Sequence, residues 1–141
     1  MMARASVVDE HIPDNTSGRI VALSVLIGAN DLLLLGASTW LSNLRTYLVA
    51  RKNAGWPKIV LCTPTPRTQA GFNTERAAVL STMRGWEGDG VVDDIIDFAA
   101  DSTMGPDAAA SNTSLYSDGL HPTATGQQNL ANIAATVLNA L

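Results

Sequence analysis

Residues 20–27 read Ile-Val-Ala-Leu-Ser-Val-Leu-Ile, and Gly28 follows directly. An unbroken apolar run of this length, rich in β-branched side chains, is typical of a strand buried on both faces of a parallel sheet. The run therefore predicts a central strand. Gly28 predicts a tight turn where the chain leaves the sheet.

Three segments after the predicted strand have apolar residues at helical spacing. Apolar residues recur at helical spacing from about Ser38 to Asn53 and again over residues 74–84. The segment Leu130–Leu141 has the most regular amphipathic spacing in the chain. These patterns predict three helices with one apolar face each.

Two further apolar runs, Lys58–Thr63 and Val91–Phe98, predict strands between the helices. Residues 99–117 show no periodicity and predict a long loop. Alternating strands and helices indicate one α/β domain over residues 1–141, in which ligands bind outside the carboxyl ends of the strands.

Composition excludes several classes of function. The 141 residues are 46% hydrophobic, so the chain folds, yet no apolar stretch approaches the ~20 residues of a membrane span. A net charge of −4 without a basic cluster argues against nucleic acid as a partner. One cysteine and two histidines give no metal-ligand spacing, and we expect neither metal nor cofactor. The N-terminus lacks the apolar stretch of a secretory signal, which leaves the compartment open between cytoplasmic and, if a signal was lost, secreted.

His121 stands three residues after Asp118 and directly before Pro122. At this spacing the carboxylate can accept a hydrogen bond from the imidazole, which is the relation between base and orienting acid in acyl transfer. Pro122 restricts the backbone of His121 and is suited to open a helix. The alternative is structural, with Asp118 turning a loop and His121 a solvated surface histidine.

Asn30 lies two residues beyond Gly28, at the predicted carboxyl end of the first strand. Its carboxamide offers two donors and could stabilise an oxyanion in the crevice. The alternative is an ordinary turn in which Asp31 is the N-cap of a helix that begins near Leu32.

Gly28-Ala29-Asn30-Asp31 and Asp118-Gly119-Leu120-His121-Pro122 together resemble the third and fifth signature blocks of the SGNH (GDSL-type) serine hydrolases. The resemblance covers nearly the whole chain. It implies a flavodoxin-like three-layer α/β/α sandwich with a parallel sheet and a carboxylic ester hydrolase activity. It also implies that Asn30 is an oxyanion donor and that Asp118 and His121 complete a Ser-His-Asp triad.

The family's Gly-Asp-Ser block, which supplies the nucleophile, and its second-block glycine are missing from the sequence. Only 19 residues precede the first predicted strand, and residues 3–12 resemble the remains of the helix that should enter it. We therefore expect the chain to be N-terminally truncated relative to the family and to lack its first strand or strands.

Other nucleophiles have little support in the sequence. Ser117 adjoins Asp118, Ser24 lies inside a strand and Cys62 nearly ends one, but none sits in a recognisable nucleophile elbow. Cys62 fits better as a small buried hydrophobe. His11 has no nearby partner in the sequence.

Two functions remain open. The first is an esterase that acts on a small ester, such as a short acyl ester or an acetylated sugar, with the serine supplied by the missing segment. The second is a non-catalytic module that binds an ester or a carbohydrate. Loss of the first strand would also expose the Ile20–Ile27 edge and favour self-association.

Overall fold

The computed structural model describes Asp9 and residues 21–141. Within these residues the fold is mixed α/β, with three strands and four α-helices. In chain order the elements are β1 (Ala22–Val25), α1 (Leu32–Leu35), α2 (Ala37–Asn53), β2 (Lys58–Cys62), α3 (Phe72–Arg84), β3 (Asp94–Ile96) and α4 (Ala124–Leu138).

The three strands form a parallel sheet in the order β1-β2-β3. Leu23 pairs with Ile59, and Leu61 pairs with Ile95. The prediction that β1 is a central strand is wrong for the described residues, because β2 is central and β1 lies at an edge. Ser24 on this strand is exposed, so the predicted burial on both faces is also incorrect. An apolar run reports a tendency to be buried, but it does not report how many strands lie beside it.

The central strand β2 divides the core because its side chains alternate between the two faces of the sheet. Ile59 and Leu61 belong to a cluster that includes residues of α2 and α3. Val60 and Cys62 belong to a second cluster, against which the apolar side of α4 packs. Helices therefore cover both faces of the sheet, and the carboxyl ends of the strands are left for the loops.

The helices predicted from apolar spacing are confirmed with small shifts at their ends. The patterns at Ser38–Asn53 and 74–84 correspond to α2 and α3, whereas the C-terminal pattern at Leu130–Leu141 corresponds to a helix, α4, that begins well before it, at Ala124, and ends at Leu138. Leu138 is the exception on α4, because its side chain is exposed although its spacing placed it on the apolar face. The last helix is capped by Thr123, whose hydroxyl accepts a hydrogen bond from the Gly126 N–H. Pro122 thus precedes the cap and is not the first residue of the helix.

The predicted loop over residues 99–117 contains short helical turns. Segments of 3-10 helix cover Phe98–Ala100 and Asp107–Ser111. The helix predicted for residues 3–12 lies outside the described residues except for Asp9, which accepts a hydrogen bond from Trp56 Nε1 at 3.1 Å. No helix in the described part of the chain is both long and apolar enough to cross a membrane.

Candidate active site

The side chains of Asp118 and His121 are hydrogen-bonded to each other. His121 Nδ1 lies 2.7 Å from Asp118 Oδ2. The other carboxylate oxygen accepts hydrogen bonds from two backbone N–H groups, that of Leu120 at 3.0 Å and that of His121 at 2.8 Å. The carboxylate therefore fixes both the backbone and the ring of His121.

The charge of Asp118 determines which ring nitrogen carries the proton. The backbone N–H of His121 and its imidazole lower the pKa of the Asp118 carboxyl to about 2. An ionised carboxylate can only accept hydrogen bonds, so Nδ1 of the neutral imidazole must be the donor. Nε2 then holds the free lone pair and can accept a proton from a nucleophile.

The loop that carries this pair is closed by backbone hydrogen bonds. Tyr116 and Pro122 form an antiparallel bridge, and the Ser117 N–H donates to the His121 carbonyl at 2.9 Å. The Gly119 carbonyl accepts from the Thr68 N–H at 3.1 Å, which ties the loop to the segment after β2. Gly119 has φ +78 and any Cβ there would overlap the Thr68 side chain. Only glycine fits at this point of the loop.

Asn30 lies in the turn between β1 and α1. Gly28 precedes it with φ +115, and its carbonyl accepts a hydrogen bond from the Leu32 N–H at 3.1 Å. Asp31 occupies the N-cap position of α1, as the structural alternative predicts, but its side chain makes no capping hydrogen bond. Asn30 is exposed, and among the described residues no hydrogen bond engages its carboxamide.

Asn30 and His121 line one cavity of about 300 Å³. Most of its wall is apolar, and Thr65 adds a third polar side chain. The apolar members are Leu26, Ile27, Ala29, Pro64, Leu120, Pro122 and Leu130. The two predicted site segments, which are far apart in sequence, therefore meet at a concave surface beyond the carboxyl ends of β1 and β2, where ligands bind in parallel α/β sheets.

A buried arginine holds the Pro64 side of this cavity in place. Arg76 Nε donates to the Pro64 carbonyl at 2.7 Å, and its Nη2 donates to the Gly105 carbonyl at 2.8 Å. Asp107 accepts from its Nη1 at 3.1 Å. Burial lowers the pKa of Arg76, while Asp107 opposes that shift. Sequence reasoning missed this residue because arginine is seldom buried, and no local motif distinguishes it from the other arginines of the chain.

Thr63 and Asp97 fix the end of β2 on the other side of Pro64. The Thr63 hydroxyl donates to Asp97 Oδ1 at 3.0 Å and accepts from the Ala99 N–H at 2.9 Å. Burial alone would raise the pKa of the Asp97 carboxyl, but hydrogen bonds from Arg84 and Thr63 bring it below its usual value. These contacts position the strand end and do not reach the cavity.

No hydroxyl or thiol of the described residues donates a hydrogen bond to the His121 ring. Ser117, the nearest serine in sequence, is bonded through its hydroxyl to the His121 carbonyl at 3.1 Å. Ser24 Oγ on β1 lies 3.5 Å from Cys62 Sγ on the neighbouring strand. Burial raises the pKa of the Cys62 thiol, which disfavours the thiolate form that acts as a nucleophile.

The chain matches no known protein-family model and no curated protein sequence. Its own residues must therefore carry any functional assignment. The strongest evidence they offer is the hydrogen-bonded Asp118–His121 pair that shares an apolar cavity with the carboxamide of Asn30.

Proposed function

We propose that this site belongs to a carboxylic ester hydrolase of the SGNH type, with His121 as general base, Asp118 as its orienting acid and Asn30 as an oxyanion donor. The single observation that carries the proposal is the meeting of Asn30 and His121 at one cavity, with the imidazole held by Asp118. A hydrogen-bonded acid and base beside a free amide donor is the arrangement that acyl transfer requires.

The chemistry follows the serine-hydrolase sequence. A serine Oγ attacks the ester carbonyl carbon while His121 Nε2 accepts the hydroxyl proton, and the carbonyl oxygen becomes an oxyanion that receives a hydrogen bond from Asn30. The intermediate collapses, the alcohol leaves with the proton from His121, and an acyl-enzyme remains. Water then attacks the acyl carbon with the same proton transfers in reverse and releases the acid.

We place the nucleophilic serine outside residues 21–141. In the SGNH pattern it belongs to a Gly-Asp-Ser block that precedes the strand equivalent to β1. Two features support this placement. The side chains of Ser24, Ser117 and Cys62 make their hydrogen bonds away from the His121 ring, and β1 pairs with a neighbouring strand on one side only within the described residues.

We also propose that the fold is the family's flavodoxin-like three-layer α/β/α sandwich without its first strand or strands. The parallel sheet with helices on both faces is consistent with such a sandwich. In this arrangement the additional strands pair with the edge of β1 that faces away from β2 and bring the serine to the carboxyl end of the sheet, near Asn30.

A second candidate is a non-catalytic module that keeps the cavity and binds an ester or a carbohydrate. The observation that favours it is the exposed His121 ring, whose side chain is 71% accessible with no nucleophile beside it among the described residues. Without a nucleophile, only binding and the oxyanion donor would accelerate hydrolysis, by a factor of about 10³–10⁴ over the reaction in water.

A fluorophosphonate probe separates the two candidates, because it reacts covalently with activated serines. The coding sequence is first extended upstream to any in-frame Gly-Asp-Ser block, and both the longer chain and the 141-residue chain are treated. Labelling of the Gly-Asp-Ser serine in the longer chain, or of any serine in the given chain, supports the hydrolase. If neither chain is labelled, or if no such block lies within several dozen codons upstream and the given chain does not react, the binding module is favoured.

A further inference from the structure

The wall of the cavity indicates which esters the site accepts. We propose that it binds a short, uncharged aliphatic chain attached to the ester carbonyl, and that simple aliphatic esters are preferred to acetylated sugars and to charged esters. This inference rests on the proposed function, since it assigns the substrate class of the same site.

The described lining of the cavity is mostly apolar. Among the described residues that line the cavity, all except Asn30, Thr65 and His121 are aliphatic or proline, and none carries a permanent charge. Two of the three polar groups are already assigned to the ester carbonyl and to proton transfer. The hydroxyls of a sugar would lose hydrogen bonds to water and find too few hydrogen-bond partners in the described lining. A carboxylate would find no cationic side chain among these residues. An alkyl chain makes no hydrogen bonds to water and so loses none.

Leu26 provides an exposed apolar surface for such a chain. This side chain is 52% exposed and lies on the cavity wall close in sequence to the oxyanion donor. A chain that runs from a carbonyl at Asn30 along Leu26 and Ile27 would remove apolar surface of both partners from water. Each buried methylene should then strengthen binding about fourfold.

The cavity is small. A volume of about 300 Å³ is at the small end of the range for ligand pockets. The gain per methylene should therefore continue over short chains and stop once the chain extends beyond the cavity. Long-chain lipids gain nothing over medium chains in this arrangement.

The test is an NMR titration of the 141-residue chain with methyl acetate, methyl butyrate and methyl hexanoate, together with monomethyl succinate and methyl 6-O-acetylglucoside. We expect shifts at Asn30 and His121, and a dissociation constant that falls about tenfold or more for each added pair of methylenes. The charged ester and the sugar ester should bind no better than methyl acetate. Equal affinity across the series, or shifts confined to residues outside the cavity, would overturn the proposal.

A pair of matched variants locates the effect. Leu26→Asp places a charge on the cavity wall at an already exposed position, so it should abolish the dependence on chain length without unfolding the protein. Leu138→Asp introduces the same change at a comparably exposed leucine of α4 that does not line the cavity, and it should leave the series unchanged. If both variants lost the dependence of affinity on chain length, the alkyl chain would not be bound at the cavity wall.

These experiments distinguish a wrong ligand class from a wrong proposed function. If the aliphatic series binds as expected but the longer chain neither reacts with the fluorophosphonate nor cleaves these esters, the proposed function is wrong and the ligand class stands. If the longer chain cleaves acetylated sugars as readily as aliphatic esters, the hydrolase stands and the inference drawn from the cavity wall is wrong.

Discussion

His121 is held by Asp118 through both its backbone N–H, at 2.8 Å, and its imidazole Nδ1, at 2.7 Å. A turn that used Asp118 only to cap the loop would need the first of these contacts and not the second. The second contact also requires the ring to fold back over the loop, which leaves Nε2 pointing away from the carboxylate. The pair therefore has the geometry of a catalytic acid and base as well as that of an ordinary turn.

The first prediction concerns the tautomer. Asp118→Asn keeps an oxygen for the backbone N–H groups, but it removes the charge that holds the proton on Nδ1. If a Gly-Asp-Ser block extends the chain and gives an active enzyme, we expect kcat for p-nitrophenyl butyrate to fall by about four orders of magnitude, which is the loss that this change causes in a Ser-His-Asp triad. The variant should still unfold cooperatively, at a somewhat lower temperature because the ionised carboxylate also favours the folded state. Glu87→Gln, an exposed carboxylate outside the cavity, is the control, and an equal loss in both variants would count against the dyad.

The second prediction concerns pH. The pKa of Asp118 is lowered from 3.8 to about 2, so its ionised form favours the folded state above pH 3.8, and this contribution is lost as the pH falls towards 2. Carboxyl ¹³C NMR should give a midpoint near 2. In His121→Ala the backbone hydrogen bonds remain and the imidazole is lost, so the midpoint should rise part of the way to 3.8. A wild-type midpoint near 3.8 would mean that the hydrogen bonds do not persist in solution.

The third prediction tests the turn that presents Asn30. Gly28 and Gly55 both have positive φ, but only at Gly28 would a Cβ meet another side chain, Trp40 Cζ2 at 2.9 Å. Gly55→Ala should lower the free energy of unfolding by about 1–2 kcal/mol through backbone strain alone. Gly28→Ala should lower the free energy of unfolding by about 2–4 kcal/mol, because overpacking against Trp40 adds to the backbone strain. Denaturant unfolding measures both, and equal losses would show that Trp40 yields freely.

The fourth prediction concerns the edge of the sheet. β1 pairs only with β2 in the described residues, and Leu26 just beyond it is exposed. An open apolar edge favours pairing with a second chain. Sedimentation velocity should therefore show mass increasing with concentration, and Leu26→Lys should reduce it more than Leu138→Lys. A strictly monomeric protein at all concentrations would indicate that residues before β1 cover the edge.

Sequence patterns predicted the elements whose packing depends on their own side chains. The spacing of Trp40, Leu44 and Leu48 predicted α2, because residues about one helical turn apart lie on the same face of a helix and all three are buried in the core. The order of strands and helices likewise predicted a parallel sheet. The Asp118–His121 contact was predictable because three residues of chain separate the two groups, and a local turn is enough to join them.

Features that depend on distant neighbours could not be predicted in the same way. The edge position of β1 depends on which strands flank it, and the apolar run does not contain that information. Arg76 is buried because carbonyls at Pro64 and Gly105, far away in sequence, point at its guanidinium. The cavity wall brings Leu26 together with Leu130, and no local pattern connects those two positions.

The most direct test of the account is ester hydrolysis by the chain extended upstream to a Gly-Asp-Ser block. His121 and His11 are each replaced by alanine in this chain. We expect His121→Ala to reduce kcat/KM for p-nitrophenyl butyrate by at least about 10³-fold. His11→Ala should leave it unchanged. If both variants hydrolyse the ester at the same rate as the unmodified chain, the imidazole at position 121 is not the base and the proposed mechanism is wrong.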